Sequence, residues 1–331
     1  MGVRHHSYIP IIAIQLEEEL FRVKLATYLS PTVTTPRTGI VQTTAQNNAT
    51  LIDITAASEL LALSIPPTLQ EVIEQYATVQ PLLQALLVAS QEGKLATATL
   101  PLTDVTLIAP LPRPRKNVMC MAVNYTEHAR ETAALREHGG KPPTEPVIFT
   151  KAPTSINGPF GEIEIDPAVS TAIDWEVELG VIIGNPGKNI PAGSAFEHIF
   201  GYTVLNDVTA RDLQTRHKQF FKGKSLDGSC PIGPWIVTAD EIPDPHDLAL
   251  RLRVNGIIKQ DGNTRQMIFS IPEIIAILSL GMTLEAGDII ATGTPAGVGF
   301  SRPTPEFLKP GDIMESEVAG IGTMRNPIVA K

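Results

Sequence analysis

Hydrophobic and polar positions divide the chain into two stretches with different patterns. In the first stretch, residues 21–29 alternate loosely between polar and apolar side chains, which predicts a strand. Residues 30–50 are rich in Thr, Gln and Asn and contain two prolines, which predicts a loop or a weakly ordered hairpin. Apolar positions then recur at helical spacing, and the predicted helices cover residues 52–63, 68–77 and 81–92.

Beyond residue 108 the pattern changes to short apolar runs separated by prolines and glycines. The proline- and arginine-rich segment 109–115 interrupts any regular element, so we predict a domain boundary between residues 108 and 109. The stretch that follows contains one long predicted helix, at residues 272–280, among many short predicted strands. This arrangement is typical of a β-rich sandwich, barrel or roll and not of a doubly wound α/β sheet.

Composition excludes several classes of protein. The 331 residues are 43% hydrophobic, enough for a substantial core, but only 18% charged, which is low for a coiled coil or a charged bundle. A formal net charge of −9 disfavours nucleic-acid binding, which needs a basic surface to displace counterions. Neither a bilayer-spanning apolar run nor a secretory cleavage pattern is found near the start, and two cysteines are too few for a disulfide framework. We therefore expect a cytoplasmic protein with no membrane and no nucleic-acid partner.

Three carboxylates stand in or at the end of two predicted strands. Glu176 and Glu178 alternate with apolar residues over 174–183, and a strand has a side-chain period of two, so both project from one face. Asp207 ends the next apolar strand, over residues 201–207. With no Cys or His in these segments, three carboxylates favour a hard cation such as Mg²⁺ or Mn²⁺. Spacing alone leaves a second interpretation open, an edge strand with a solvated acidic face.

Two further pairs of polar residues could act beside such a cation. His128 and Glu131 are three positions apart and share one face of a helical turn, where a carboxylate would orient the imidazole as a general base. A surface histidine with a helix ion pair has the same spacing and is the alternative. Arg211 and Gln214 come directly after the strand that ends at Asp207, which brings them near a cation bound there.

Two segments resemble nucleotide-binding motifs but lack parts of them. The Lys-Gly-Lys-Ser run at 222–225 has no upstream glycine of a P-loop. The glycine-rich segment 291–299 follows a strand but precedes no helix pattern, so the dinucleotide-binding fingerprint fails. We expect the second segment to be a tight loop that presents backbone amides and the hydroxyls of Thr292 and Thr294 to a ligand.

Taken in order, these segments resemble the fumarylacetoacetate hydrolase superfamily over roughly residues 108–328. The resemblance is specific because several short motifs occur in register along the chain. The motifs are Asn-Tyr-x-x-His (124–128), Phe-Thr-Lys (149–151), Asp-Trp-Glu-Val-Glu-Leu-Gly (174–180), Asn-Asp-Val-Thr-Ala-Arg-Asp (206–212), Gly-Lys-Ser (223–225), Met-Ile-Phe-Ser-Ile-Pro (267–272) and Thr-Gly-Thr-Pro-Ala-Gly-Val-Gly (292–299).

The resemblance implies a fold, a metal site and a set of catalytic residues. The implied fold is of α+β class and β-rich, with a mixed β-roll catalytic domain over 109–331 after a small N-terminal α+β accessory domain over 1–108, and it forms a homodimer. The implied ligands of one Mg²⁺ or Mn²⁺ per subunit are Glu176, Glu178 and Asp207. The implied catalytic residues are His128, Glu131 and Lys224. The implied substrate-binding residues are Asn124, Tyr125, Lys151, Arg211, Gln214, Thr292 and Thr294.

The activity implied first is hydrolysis of a carbon–carbon bond in a β-diketo acid of the acylpyruvate or fumarylpyruvate type. Some relatives have a fourth carboxylate where this chain has Asn124, which disfavours fumarylacetoacetate itself. An oxaloacetate-type decarboxylase and a 2-hydroxy-dienedioate isomerase or hydratase are the enzymatic alternatives. Each would act on a small anionic 2-oxo acid, and such relatives take part in the catabolism of aromatic compounds. A catalytically inactive metal-binding partner protein is the non-enzymatic alternative, which the presence of both His128 and Glu131 disfavours.

Overall fold

The computed structural model describes residues 23–31, 33–43, 49–132 and 144–331. Within these ranges the helices are α1 (Ile54–Leu61), α2 (Leu69–Glu74), α3 (Tyr76–Gln91), α4 (Thr126–Glu131), α5 (Arg211–His217), α6 (Phe221–Lys224) and α7 (Ile271–Ser279). The strands are β1 (Lys24–Ser30), β2 (Val33–Thr43), β3 (Ala49–Asp53), β4 (Thr99–Pro101), β5 (Thr106–Ile108), β6 (Val118–Ala122), β7 (Val147–Lys151), β8 (Ile156–Asn157), β9 (Ile163–Ile165), β10 (Ile173–Asp174), β11 (Val177–Ile183), β12 (Gly187–Lys188), β13 (Ile199–Asn206), β14 (Thr209–Ala210), β15 (Cys230–Thr238), β16 (Ala249–Val254), β17 (Ile257–Asn263), β18 (Thr283–Leu284), β19 (Ile289–Ala291), β20 (Ile313–Val318) and β21 (Gly322–Ala330).

Most strands belong to two mixed sheets. A 12-stranded sheet has the order β4-β3-β2-β1-β15-β13-β11-β19-β6-β7, with β5 beside β1 and β8 beside β15. A 5-stranded sheet has the order β17-β16-β20-β21-β9, and β10–β14 and β12–β18 form small pairs. Antiparallel pairs predominate, while β19–β6, β15–β8 and β21–β9 are parallel. The predicted α+β, β-rich class is confirmed, and the arrangement is not a doubly wound parallel sheet.

The centre of the large sheet consists of strands that are buried along their whole length. β11 and β13 pair antiparallel, and every residue of both strands is buried. Strands covered on both faces are apolar at most positions, which explains the continuous apolar runs in this part of the sequence. Gly201 permits the close approach of β15 to β13, because a Cβ there would collide with the carbonyl oxygen of Val237. These central strands position the candidate site.

The N-terminal stretch contains more strand than its composition predicts. Of the two alternatives predicted over 30–50, the loop is wrong for the described part and a hairpin is present, because β2 and β3 pair antiparallel, while residues 44–48 lie outside the described residues. β2 is paired on both sides, by β1 and β3. Its hydrogen bonds to these two neighbouring strands stabilise a strand conformation that the polar composition of the segment does not predict. The strand predicted over 21–29 corresponds to β1, with residues 21 and 22 outside the described part.

The predicted helices are present with shifted ends. α1 begins after Asp53, whose carboxylate accepts a hydrogen bond from the Ala56 amide as an N-cap, and α2 begins after the capping residue Thr68. α3 begins at Tyr76, so the prediction that Pro81 starts this helix is wrong. Pro81 lies inside α3, where it removes one backbone hydrogen bond. Burial of the apolar face of this 16-residue helix outweighs that loss.

The stretches on either side of residue 108 share one hydrophobic core. β1 pairs with β15, where Leu25 lies opposite Ile236. α1, α2 and α3 pack on the same cluster of buried side chains as β6, β13, β15 and β19. The division into domains between residues 108 and 109 stays a prediction. The shared core joins the stretches on either side of that position by direct packing. In the described part of the chain, no helix is both long and apolar enough to cross a membrane.

Leu25→Ala tests whether this shared core unfolds as one unit. Leu25 is fully buried between the two stretches, so we expect its truncation to lower the free energy of unfolding by about 2–5 kcal/mol. Urea unfolding followed by circular dichroism should show one transition at a lower denaturant concentration. The control is Leu60→Ala in α1, where the side chain is 53% exposed and the change should stay within about 0.5 kcal/mol. Two separate transitions would contradict a common core.

Candidate metal centre and active site

The three predicted carboxylates meet at one end of the β11–β13 pair. Glu178 lies in β11, Glu176 lies just before it, and Asp207 follows β13. Because the strands run antiparallel with Val177 opposite Asn206, the start of β11 lies beside the end of β13. The Asp207 amide donates to the Glu176 carbonyl oxygen at 2.9 Å, which holds this corner together. Carboxylate oxygens from the three residues lie within 4.8 Å of one another.

This carboxylate cluster, formed by Glu176, Glu178 and Asp207, is buried. None of the three side chains belongs to an exposed edge, because β11 has β13 on one side and β19 on the other. The interpretation as an edge strand with a solvated acidic face is therefore wrong. Burying charge without compensation is costly, so the surroundings of the cluster have to supply positive charge.

Two buried lysines supply part of that charge. Lys224 Nζ lies 2.8 Å from Glu176 Oε2 and 2.7 Å from Asp207 Oδ2. Lys151 Nζ lies 2.8 Å from Asp207 Oδ1 and donates to the Val208 carbonyl oxygen at 3.1 Å. Burial opposes the charged form of Lys224, but Asp207 and Glu176 outweigh burial and raise its pKa. Both ammonium groups thus bind the cluster directly.

Arg211 connects the cluster to a fourth buried carboxylate, Asp174, which the sequence patterns did not single out. Arg211 Nη2 donates to Glu176 Oε1 at 2.6 Å, and its Nε donates to Asp174 Oδ2 at 2.9 Å. Arg211 therefore binds two carboxylates of the protein and also lines the cavity beside them. Asp174 also accepts from the Gly299 amide at 2.7 Å. The sequence signal that could have identified Asp174 is its alternation with Glu176 and Glu178.

Charge in this buried region does not balance. The acids are Asp174, Glu176, Glu178 and Asp207, and the cations are Lys151, Lys224 and Arg211. Within the described residues Glu178 forms no ion pair, and burial, Asp207 and Glu176 together raise its pKa. Burial also acts against ionised Glu176, but Lys224 and Arg211 outweigh burial and lower its pKa to about 2. A divalent cation on the three clustered carboxylates would more than offset this single surplus negative charge, and hard cations prefer such oxygen ligands. The residues present therefore fit a divalent metal.

The predicted histidine–glutamate pair forms on α4. His128 Nδ1 lies 2.8 Å from Glu131 Oε1, and the imidazole side chain is only 7% exposed. Glu131 also accepts from the Gly297 amide, with both oxygens near 3 Å. Burial raises the pKa of Glu131, but the hydrogen bonds from His128 and Gly297 outweigh burial and lower it. The alternative of a surface histidine is wrong, because this histidine is buried and oriented.

One cavity of about 170 Å³ joins the histidine–glutamate pair to the carboxylate cluster. It is small beside the roughly 300–1,000 Å³ of pockets for drug-sized ligands, so it suits a small molecule. The predicted site residues on its wall are His128, Glu176, Arg211, Gln214, Lys224 and Thr294. The lining residues not assigned from the sequence are Met121, Ala122, Val123, Thr132, Phe149, Phe220 and Phe300. The second set comes from separate segments, and Phe149, in the Phe-Thr-Lys motif (149–151), is its one member that belongs to a motif quoted from the sequence.

Four residues predicted to bind substrate do not line this cavity: Asn124, Tyr125, Lys151 and Thr292. The Asn124 amide donates to the carbonyl oxygens of Phe269 at 3.1 Å and Thr292 at 2.8 Å, so it clamps two segments together. Tyr125 is buried, which raises the pKa of its hydroxyl. Lys151 Nζ donates to Asp207 in the carboxylate cluster. The polar atoms of Asn124, Lys151 and Thr292 therefore have partners inside the protein, whereas the buried Tyr125 hydroxyl has no hydrogen-bond partner among the described residues.

The glycine-rich loop after β19 uses its hydroxyls differently from the prediction. The hydroxyls of Thr292 and Thr294 each donate to a carbonyl oxygen of β11 at 2.9 Å, so neither proton is offered to a ligand. The loop contributes backbone amides instead, and the Gly293 amide donates to Glu178 Oε2 at 2.6 Å. Gly293 has φ of +96°, and a Cβ would lie 2.7 Å from another side chain. This loop therefore needs glycine to reach the cluster.

Fold and site together define a β-rich enzyme with a buried acidic site that could hold a divalent cation beside a small cavity. The family model described as "Fumarylacetoacetate (FAA) hydrolase C-terminal" matches residues 117–329. The chain belongs to this enzyme family, as the resemblance of its motifs predicts.

Individual relatives carry several different names. Oxaloacetate tautomerase YisK of Bacillus subtilis is 48% identical over 227 residues, which are 69% of this chain and 74% of that protein. The mitochondrial oxaloacetate tautomerase FAHD2A of Bos taurus is 40% identical over 310 residues, 93% of this chain and 92% of that protein. The solved fumarylacetoacetate hydrolase of Exiguobacterium antarcticum matches 93% of this chain and 100% of its own, with a TM-score of 0.74 and 37% identity. A 2-hydroxyhepta-2,4-diene-1,7-dioate isomerase of Mycobacterium marinum matches 93% of this chain and 99% of its own, with a TM-score of 0.70 and 32% identity. These names fit the oxaloacetate and isomerase alternatives better than the predicted carbon–carbon hydrolase.

Glu178→Gln tests whether the carboxylate cluster holds a metal. The substitution keeps the shape of the side chain and removes one negative charge, so Mn²⁺ affinity should fall by more than the roughly 10–100-fold typical of losing an outer-shell partner. Calorimetric titration with Mn²⁺ measures the affinity, and circular dichroism checks the fold. Glu164→Gln on the exposed position of β9 is the matched control and should bind as the wild type does. Unchanged affinity in a folded Glu178→Gln protein would exclude this site.

Proposed function

We propose that this chain is a divalent-metal-dependent enzyme that interconverts the keto and enol forms of a small 2-oxo acid, with oxaloacetate as its substrate. The observation that carries the proposal is that His128, bonded to Glu131, lines the same small cavity as Glu176 and Lys224. A general base and cation-binding carboxylates beside one cavity are what proton abstraction next to a carbonyl group requires. The names of the relatives at 48% and 40% identity support the choice of substrate.

In this proposal the carboxylate cluster, Glu176, Glu178 and Asp207, holds one Mg²⁺ or Mn²⁺ per subunit. The cation would act as a Lewis acid toward the carboxylate and 2-oxo oxygens of the substrate. Lys151 and Arg211 bind carboxylate oxygens of Asp207 and Glu176, and they orient these side chains as groups behind metal ligands commonly do.

His128 is the proposed acid–base residue. Because Glu131 lies 2.8 Å from Nδ1, the proton of the neutral imidazole stays on Nδ1, and the lone pair on Nε2 acts as the base. Nε2 takes a proton from substrate carbon C3, and the carboxylate of Glu131 stabilises the resulting imidazolium. Return of that proton to the 2-oxo oxygen gives the enol, and the reverse transfers give the keto form. Neither direction gains or loses a proton overall.

Arg211, Gln214 and Lys224 provide positive charge and hydrogen-bond donors on the cavity wall. Gln214 Oε1 accepts from Arg211 Nη1 at 3.2 Å, so the amide nitrogen of Gln214 is the group left to donate. Donors next to fixed positive charge bind carboxylate oxygens strongly. This chemistry supports a small anionic 2-oxo acid as the ligand.

Hydrolysis, the activity implied first by the sequence, would use His128 on a water molecule instead of on a substrate carbon. Isomerisation of a 2-hydroxy-dienedioate is a proton transfer like tautomerisation, and decarboxylation of oxaloacetate also needs no attacking water. We favour tautomerisation because the His128–Glu131 pair by itself accounts for both proton transfers. A homodimer, a cytoplasmic location and a role in the catabolism of aromatic compounds stay predictions from the sequence.

The first test follows the enol of oxaloacetate by ultraviolet absorbance with the wild-type enzyme. Equilibration should accelerate with Mg²⁺ or Mn²⁺ and return to the uncatalysed rate with a chelator.

His128→Ala should lower turnover by about 10²–10⁴-fold, the usual contribution of a positioned base. Mn²⁺ affinity should stay near the wild-type value, because His128 is not a proposed ligand. Glu131→Gln should cost less, since the imidazole remains.

Glu127→Gln is the control for this test, because Glu127 lies on α4 as Glu131 does but is exposed. It should turn over oxaloacetate as the wild type does. Release of pyruvate from oxaloacetate and from acetylpyruvate is measured in parallel. If enol equilibration is not accelerated, release of pyruvate from oxaloacetate would show a decarboxylase instead. Release of pyruvate from acetylpyruvate would show a hydrolase instead.

A further inference from the structure

The side chains that line the cavity fall into two groups by their chemistry, which we name the polar side and the apolar side. The polar side consists of His128, Glu176, Arg211, Gln214 and Lys224. The apolar side consists of Met121, Val123, Phe149, Phe220 and Phe300. A 2-oxo acid whose oxygens meet the polar side has to place its remaining carbon atoms against the apolar side. The apolar side therefore decides how long a carbon chain the cavity accepts.

Two of the three phenyl rings also support the cations of the site. Lys224 Nζ lies over the ring of Phe149, 5.0 Å from its centroid, and the guanidinium of Arg211 lies 4.2 Å from the centroid of Phe300. Phe220 instead contacts Phe149 edge to face, with centroids 5.5 Å apart and an angle of 71° between the rings. Its ring can thus be removed while both cations keep their aromatic partners.

A strained turn between α5 and α6 holds Phe220 against the cavity. Lys218 has φ of +59° and ψ of −32°, a region that residues other than glycine rarely adopt, and the Gln219 amide donates to the His217 carbonyl oxygen at 2.6 Å. α6 closes tightly on α5, because a Cβ at Gly223 would lie 2.6 Å from a backbone nitrogen of α5. Such strain persists only where the surroundings determine the conformation, and it concentrates at functional sites.

We propose that Phe220 limits the chain length of the substrate, closing the apolar side of the cavity to 2-oxo acids longer than four carbons. The inference rests on the proposed function, because it assumes that the oxygens of a 2-oxo acid bind the polar side. The cavity is small, about 170 Å³, so the space that one phenyl ring takes up matters to what fits. The Phe220 carbonyl accepts from the Lys224 amide at 3.0 Å, and this bond is independent of the side chain. Phe220→Ala should therefore open the cavity and keep α6.

The experiment titrates the Mg²⁺-loaded full chain with 2-oxobutyrate, which has four carbons, and 2-oxohexanoate, which has six. Wild-type protein should bind the shorter acid at least about tenfold more tightly, since one misfitting methylene in a pocket is worth about 10–200-fold. Phe220→Ala should reduce that ratio by about tenfold or more, through tighter binding of 2-oxohexanoate. Phe221→Ala is the matched control, because Phe221 is the next residue, is 47% exposed and does not line the cavity. It should keep the wild-type ratio.

The outcomes separate this inference from the proposed function. An unchanged ratio in a folded Phe220→Ala protein, or equal binding of both acids by the wild type, overturns the role of Phe220 alone. Failure of the wild type to bind either acid also overturns the role of Phe220, whereas the proposed function is overturned only if the same protein does not accelerate the enol equilibration of oxaloacetate. Phe220→Leu is the second variant if Phe220→Ala does not fold, and it should shift the ratio in the same direction by a smaller factor.

Discussion

The burial of surplus negative charge where β11 and β13 meet is the constraint on which the rest of the site depends. Four carboxylates and three cations occupy this region, and Glu178 is the acid without a cation partner among the described residues. Breaking a buried ion pair is costly, because the partner left behind keeps its charge without solvent. The elements that carry Lys151, Lys224 and Arg211 are therefore held against the central sheet by charge as well as by apolar contacts. A divalent cation would offset the surplus negative charge.

The glycine-rich loop after β19 joins the separate parts of this region through its backbone. Its amides reach three carboxylates with different tasks: one in the carboxylate cluster, one that orients His128, and one that clamps Arg211. Backbone donors have fixed directions, so the loop sets the relative position of the cluster and the histidine–glutamate pair. The side chains of Thr292 and Thr294 tie the loop to β11, which explains why their hydroxyls are turned away from the cavity.

Relatives of this chain bear the names of hydrolase, tautomerase and isomerase, and this range is consistent with how the site is built. In the proposed function the carboxylates would hold a cation and His128 would act as a base, a combination that serves any reaction that begins with proton removal next to a carbonyl group. What differs among such reactions is the carbon skeleton that fits and whether water reaches it. In this chain the apolar side of the cavity, which includes Phe149, Phe220 and Phe300, would determine which carbon skeleton fits.

The sequence by itself determined the features that depend on local spacing. Alternation placed Glu176 and Glu178 on one side of the chain, and a spacing of three placed His128 beside Glu131. Only the tertiary structure decided which distant groups meet. The strands β2 and β3, the pairing of Arg211 with Asp174, the inward use of Asn124 and the phenyl rings of the cavity all depend on contacts between segments far apart in the chain. Such contacts follow from strand register and from the requirement to neutralise buried charge across the whole fold, and neither is written in a local pattern.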